Sequence, residues 1–101
     1  MNILIAGCGR TGAELAGVLS REGHDVSVVD PDAGAFALLP EDFSGYRTVG
    51  LPMDQDVLVR AGIENCDALA AVSSDDNVNL MVCQLAREAV SYTHLRAHET
   101  T

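Results

Sequence analysis

Three glycines and one acid carry most of the chemistry legible in this chain. Gly7, Gly9 and Gly12 stand in the run Gly7-Cys8-Gly9-Arg10-Thr11-Gly12, and Asp30 closes the next apolar run. Between a strand and a helix, each glycine of such a loop has its own work. The first makes the tight turn, the second lets the backbone approach a pyrophosphate, and the third lets helix and strand pack closely. The diphosphate then rests on the free N–H groups of the helix N-terminus, where the macrodipole favours negative charge. Asp30 can accept hydrogen bonds from both ribose hydroxyls of an adenosine. Its charge repels a 2′-phosphate, so NAD or an adenosine nucleotide is expected and NADP is not. Arg10 opens the helix, where a cation is unfavourable unless an anion lies near, and it is expected on the diphosphate. Cys8 has two readings, a thiol activated by the helix N-terminus or a small residue tolerated between two glycines, and the second is preferred. With Thr11, the loop supplies six candidate cofactor-binding residues: Gly7, Cys8, Gly9, Arg10, Thr11 and Gly12.

Ligands of open parallel sheets bind at the carboxyl ends of the strands, and this rule sorts the remaining candidates. Asp30, residues 50–54 and residues 73–77 fall at that end, so Asp54 and Ser73 join the candidate site. Asp54 also suits a helix N-cap, and Ser73 and Asp75 can either cap a helix or touch a ligand. Asn77 and Asn79 are poor residues for a helix interior, so each is expected to hydrogen-bond the preceding loop or a neighbouring subunit. His24 follows Gly23 at the opposite end and reads as a solvated turn residue.

The elements that must position these residues alternate strand and helix, the pattern of a parallel sheet with crossover helices. Residues 2–6 read as a buried strand and residues 10–22 as a helix with Leu15, Val18 and Leu19 on its apolar face. A second strand, Val26-Ser27-Val28-Val29, ends at Asp30. Pro31 starts a short helix that reaches Leu39, and Pro40 closes it. Arg47-Thr48-Val49 is the third strand, and Asp54 caps a helix through Arg60 that buries Val57, Leu58 and Ala61 and stops at Gly62. Residues 68–72 form the fourth strand. A last helix, capped by Ser73-Ser74-Asp75-Asp76, carries the stripe Val78, Met81, Val82, Leu85 and Ala86. The fold class is therefore α/β: a Rossmann-like parallel sheet with helices on both faces, incomplete, with four strands present and the fifth and sixth missing. The first and fourth strands are expected to be neighbours, leaving the fourth as an unpaired apolar edge that promotes self-association.

Composition narrows the classes further. The chain has 101 residues, is 48% apolar and carries a net charge of −9, which fits one small globular domain. All six basic residues are arginines, so there is no basic stripe for nucleic acid or an anionic membrane. The missing lysine also removes a Walker-type phosphate loop and Schiff-base chemistry. The opening shows no signal peptide, and no run is long and apolar enough to span a membrane. Cys8, Cys66 and Cys83 have no C-x-x-C spacing, so no metal site is expected, and they read as buried free thiols in a reducing cytosol.

With these residues placed, the chain resembles the N-terminal nucleotide-binding domain of potassium-transport regulators. This is the RCK or KTN family, which includes the cytoplasmic subunit of the Trk system. The resemblance covers residues 1–89. It rests on Ile5-Ala6-Gly7-Cys8-Gly9-Arg10-Thr11-Gly12, on Gly23-His24-Asp25-Val26 leading to Asp30, and on Val57-Leu58 with Ala61-Gly62-Ile63. Cys66-Asp67-Ala68 leading to Asp75-Asp76-Asn77-Val78-Asn79-Leu80 completes it.

The resemblance implies NAD(H) or ATP/ADP as cofactor, with Gly7, Gly9, Arg10 and Gly12 around the phosphates and Asp30 on the ribose. It also implies a homo-oligomer on the cytoplasmic face of a potassium channel or transporter, gating ion flux by nucleotide-dependent rearrangement with no catalytic residue. Family members often carry Asp after the glycine that ends strand three, whereas Leu51-Pro52-Met53 follows Gly50 here, near the expected adenine position. Residues 90–101 are similar to a sequencing adapter translated in frame and are expected to be non-native. A second reading is the cofactor half of an NAD-dependent dehydrogenase. A third, a domain fused behind a cation/proton antiporter, is weighed down by the start at Met1.

Overall fold

The apolar runs and turn residues fold into one parallel sheet in the computed structural model, which describes the backbone of residues 1–99 and the side chains of residues 1–89. Strands β1 (Asn2–Ala6), β2 (Asp25–Asp30), β3 (Tyr46–Val49) and β4 (Ala68–Ala71) lie in the order β3-β2-β1-β4. Helix α1 (Arg10–Arg21) connects β1 to β2, α2 (Gln55–Arg60) lies between β3 and β4, and α3 (Asp76–Glu99) follows β4. Ile5 pairs with Val28 on one side and Ala70 on the other, so β1 is central and β4 is an edge strand, as expected. Residues 90–101, expected to be non-native, run as backbone in α3 as far as Glu99, and the side chains of this segment lie outside the described residues.

Alternation along the strands divides the core in two. Ile3, Ile5, Val26 and Val28 face α1, with Leu39 and Phe43, whereas Leu4 and Val29 face α2 and α3, with Val57, Leu58 and Ile63. Leu4, Ile5, Val28, Val29 and Leu58 are at most 1% exposed. Burial of each such side chain stabilises by about 1.5–3 kcal/mol. The helix ends are set locally: Asp54 caps α2 by accepting from the Asp56 N–H at 2.9 Å, and Gly62 stops it at φ 98°.

Several boundaries and faces differ from the sequence reading. The short helix after Pro31 is a 3-10 helix over Ala33–Leu38, which starts after Asp32, whose carboxylate accepts from the Gly34 N–H at 2.9 Å, and ends one residue before Leu39. Val18 is 47% exposed, and α1 buries Gly12, Ala13, Ala16 and Gly17. Ala13 and Ala16 enter the core on this face, Gly12 packs on the Gly7 carbonyl and Gly17 on Pro40, and Leu15 and Leu19 are partly buried beside them. Met81 is likewise exposed on α3. Of the cysteines only Cys8 is fully buried; Cys66 is half-buried and Cys83 exposed, because position 83 falls on the outer side of α3, next to the buried Val82.

Candidate functional site

At the carboxyl ends of β1, β2 and β4 the backbone leaves a cleft of about 310 Å³. β1 ends in Gly7, whose φ of 114° turns the chain sharply. That turn rests against the start of the β4–α3 loop: a Cβ on Gly7 would stand 2.7 Å from the Ser73 nitrogen and 2.9 Å from its Cα. Gly12 is closed off from the other direction, since a Cβ there would run into the Gly7 carbonyl. Gly9 is different. A Cβ on Gly9 would meet no protein atom within 4 Å, and its φ of −76° is open to any residue. Nothing in the fold requires glycine at this position, so the free space above it fits an external group lying on the backbone.

The N-terminus of α1 has the electrostatics to receive an anion. Gly9 caps it without a side-chain hydrogen bond, and Ala13 is the first helical residue whose N–H finds an intrahelical acceptor, the Gly9 carbonyl at 2.9 Å. Among the described residues, the N–H groups of Arg10, Thr11 and Gly12 have no protein acceptor. The first turn contains no acid, whereas α2 and α3 carry Asp56 and Asp76 there and are capped by the carboxylates of Asp54 and Asp75. A diphosphate fits these bare donors, which lie beside Gly9 in the wall of the cleft.

Asp30 lines the same cleft, half-buried at the end of β2. Its Oδ2 accepts from the Cys8 N–H at 2.8 Å and its Oδ1 from the Asp32 N–H at 2.9 Å. Each oxygen keeps a further lone pair, so the carboxylate is held rigid and still able to accept ribose hydroxyls. Cys8 turns its thiol inward, where the S–H lies 3.6 Å from the Ala35 carbonyl. Burial, and then the charge of Asp30, push this thiol above its ordinary pKa of 9.0 against an opposing pull from Arg47. The small-residue reading of Cys8 fits this environment, whereas the activated thiol does not.

The structure thus brings Gly7, Gly9, Asp30 and Ser73 to one cleft and places the other candidates around it. Gly12 packs behind Gly7, and Thr11 is exposed on the first turn of α1. Arg10 lines a separate cleft along α1 with Glu14, Arg21 and Pro40 and is not among the residues of the strand-end cleft. Asp54 does not line the cleft and is spent on capping α2. Asp75 both caps α3 and lines the cleft, and Asn79 bonds the preceding loop, one of the two partners expected for it. His24 is half-buried at the far end of the sheet, 3.3 Å from the Met1 amino group and 3.8 Å from Glu22.

Sequence reasoning did not list Pro31 or Val78 for the site, although both sit one element-end beyond candidates it did list. Together with Leu51, Pro52 and Met53 they give the cleft an apolar wall opposite the glycines, suited to the flat face of a base.

The chain is similar to known proteins in sequence and in fold. The family model described as TrkA-N domain matches residues 3–101. The Trk system potassium uptake protein TrkA of Streptomyces coelicolor is 45% identical over 97 residues, spanning 96% of this chain and 44% of that protein. A Trk system potassium uptake protein TrkA homolog from Pyrococcus abyssi is 39% identical over 87 residues, 86% of this chain and 38% of its own length. The chain therefore spans less than half the length of these curated relatives. Among solved structures, the Shewanella denitrificans Kef CTD in AMP-bound form superposes with a TM-score of 0.73 at 23% identity, over 87% of this chain and 52% of that one, a likeness of fold. The NAD(P)-binding domain of an exopolyphosphatase-related protein from Archaeoglobus fulgidus gives 0.71 at 25% identity, over 86% and 65%.

Proposed function

Because the chain belongs to the TrkA-N domain family, we propose that it is the nucleotide-binding part of a regulator of potassium uptake and takes NAD(H) or ATP/ADP in the strand-end cleft. The observation that carries this reading is the open space over Gly9 beside the bare N–H groups of α1, with Asp30 facing it. In this reading the diphosphate rests on the backbone of residues 9–12, and Gly7 and Gly12 keep the turn tight enough to present it. Arg10 swings in to pair with the phosphates, Asp30 accepts the ribose hydroxyls, and Leu51, Met53 and Val78 flank the base. The AMP held by the Kef domain, which shares this fold, is consistent with such an occupant.

The chain acts through a partner. Among the described residues no helix is long and apolar enough to cross a membrane, and the potassium-uptake role of the chain's relatives points to a membrane potassium transporter or channel subunit as that partner. The regulator docks on its cytoplasmic face as a homo-oligomer. Nucleotide gates flux only in so far as it binds two arrangements of the assembly with different affinity. No bond is made or broken, and Asp30 and Asp75, the carboxylates lining the cleft, are engaged by backbone N–H groups.

The likeness to an NAD(P)-binding domain keeps the cofactor half of a dehydrogenase as the second reading. Potassium uptake in cells lacking their own regulator separates the two. Restored uptake that responds to the ratio of nucleotides, and fails in the Asp30→Ala variant, supports the regulator. Substrate-dependent hydride transfer with no effect on uptake supports the enzyme.

A further inference from the structure

Asn79 lies in the first turn of α3, outside the cleft, and its side chain is committed to Ser73 alone. Its Oδ1 accepts from the Ser73 N–H at 2.9 Å and from the Ser73 hydroxyl at 2.7 Å, and its Nδ2 donates to the Ser73 carbonyl at 3.0 Å. Capping does not explain this. The N-terminus of α3 is already served by Asp75, whose Oδ1 faces the Asn77 N–H at 2.8 Å and the Val78 N–H at 3.4 Å. Nor does helix propensity explain it, since asparagine is a poor residue inside a helix. What Ser73 does supply is the wall behind the glycine turn: its nitrogen and Cα are the atoms that a Cβ on Gly7 would strike, and the Gly7 carbonyl in turn abuts Gly12.

We infer that Asn79 is a positioning residue of the nucleotide cleft: by clamping the Ser73 backbone it sets the glycine turn and makes the diphosphate site and α3 one mechanical unit. The inference rests on the nucleotide-binding reading above. It follows that Asn79 affects affinity without touching the ligand, through the placement of Ser73 against Gly7. A ligand that shifts the turn is felt at α3 by the same contacts.

The test is calorimetric titration of the full chain and its Asn79→Ala and Asn79→Asp variants with ATP and with NADH, at temperatures where circular dichroism shows each variant folded. Asn79→Ala should weaken binding about tenfold, the scale of one or two lost hydrogen bonds. Asn79→Asp keeps the acceptor but sets a carboxylate oxygen against the Ser73 carbonyl. Protonation restores the donor, so its affinity relative to wild type should recover as pH falls below about 5 into the carboxylate range, a relative rise that no structural defect produces. A structural role alone lowers the melting temperature and leaves that profile parallel to wild type. If Asn79→Ala does not fold, the Asn79→Asp profile decides. Wild-type binding with wild-type affinities and parallel profiles in the variants overturns this inference and leaves the nucleotide reading standing. Failure of the wild type to bind either nucleotide overturns both.

Discussion

Gly9 and Gly12 belong to one motif, yet the fold needs only one of them. At Gly12 a methyl group has nowhere to go but into the Gly7 carbonyl, so Gly12→Ala should destabilise by about 1–3 kcal/mol, as overpacking does. At Gly9 the space is free of protein, and Gly9→Ala should change stability by less than about 1 kcal/mol while it blocks nucleotide from the backbone. Denaturation and binding measured on both variants check the contrast; equal stability losses would show that Gly9 is structural. The thiols give a pH dependence. Burial is the main cause that raises both Cys8 and Cys66 above the ordinary 9.0. The folded chain holds these protons more tightly than the unfolded one, so their contribution is complete below pH 9.0 and is lost as pH rises through the raised values. The urea midpoint should fall as pH rises above about 9, and a Cys8→Ala, Cys66→Ala double variant should lose part of that fall.

Elements were legible where a local signal sets them. The strand before Gly7, the cap at Asp54 and the stop at Gly62 all follow from residues whose backbone preferences are narrow. Because Asp54 spends its carboxylate on the Asp56 N–H and does not line the cleft, Asp54→Ala should lower stability by about 1 kcal/mol and leave nucleotide affinity unchanged. A matching loss of affinity in calorimetry would put Asp54 back in the site. The packing of α1 was legible at Gly12 but not beyond it, because periodicity weighs large apolar residues, whereas the core on this side takes Ala13 and Ala16 fully and Leu15 and Leu19 only in part. Part of the apolar wall of the cleft was hidden for the same reason. Leu51, Pro52 and Met53 were expected near the adenine, but Val78 looks like an ordinary helix residue until the sheet order brings β2, β3 and β4 to one end. The Arg10 side chain was assigned from helix electrostatics alone, which fix the sign of charge near the helix end but not the direction a long side chain takes.

At the scale of the whole molecule, a four-stranded parallel sheet closes its core on both faces but not along its edges. β4 is apolar and unpaired on one side, so the chain should self-associate, and a sharp monomer peak in size-exclusion chromatography at high concentration would contradict this. The net charge of −9 makes anion binding dependent on local devices, which in the proposed reading are the N-terminus of α1 and Arg10. The central claim is that these devices hold a nucleotide whose ribose is read by Asp30. Its most direct test is titration of the chain with NADH, NADPH and ATP, repeated on the Asp30→Ala variant. Saturable binding of NADH or ATP, weaker binding of NADPH, and a loss of roughly 1.5–3 kcal/mol in the variant are expected, the last being the worth of hydrogen bonds to a charged group. No binding of any adenine nucleotide, or equal affinities for NADH and NADPH in wild type and variant alike, would contradict it.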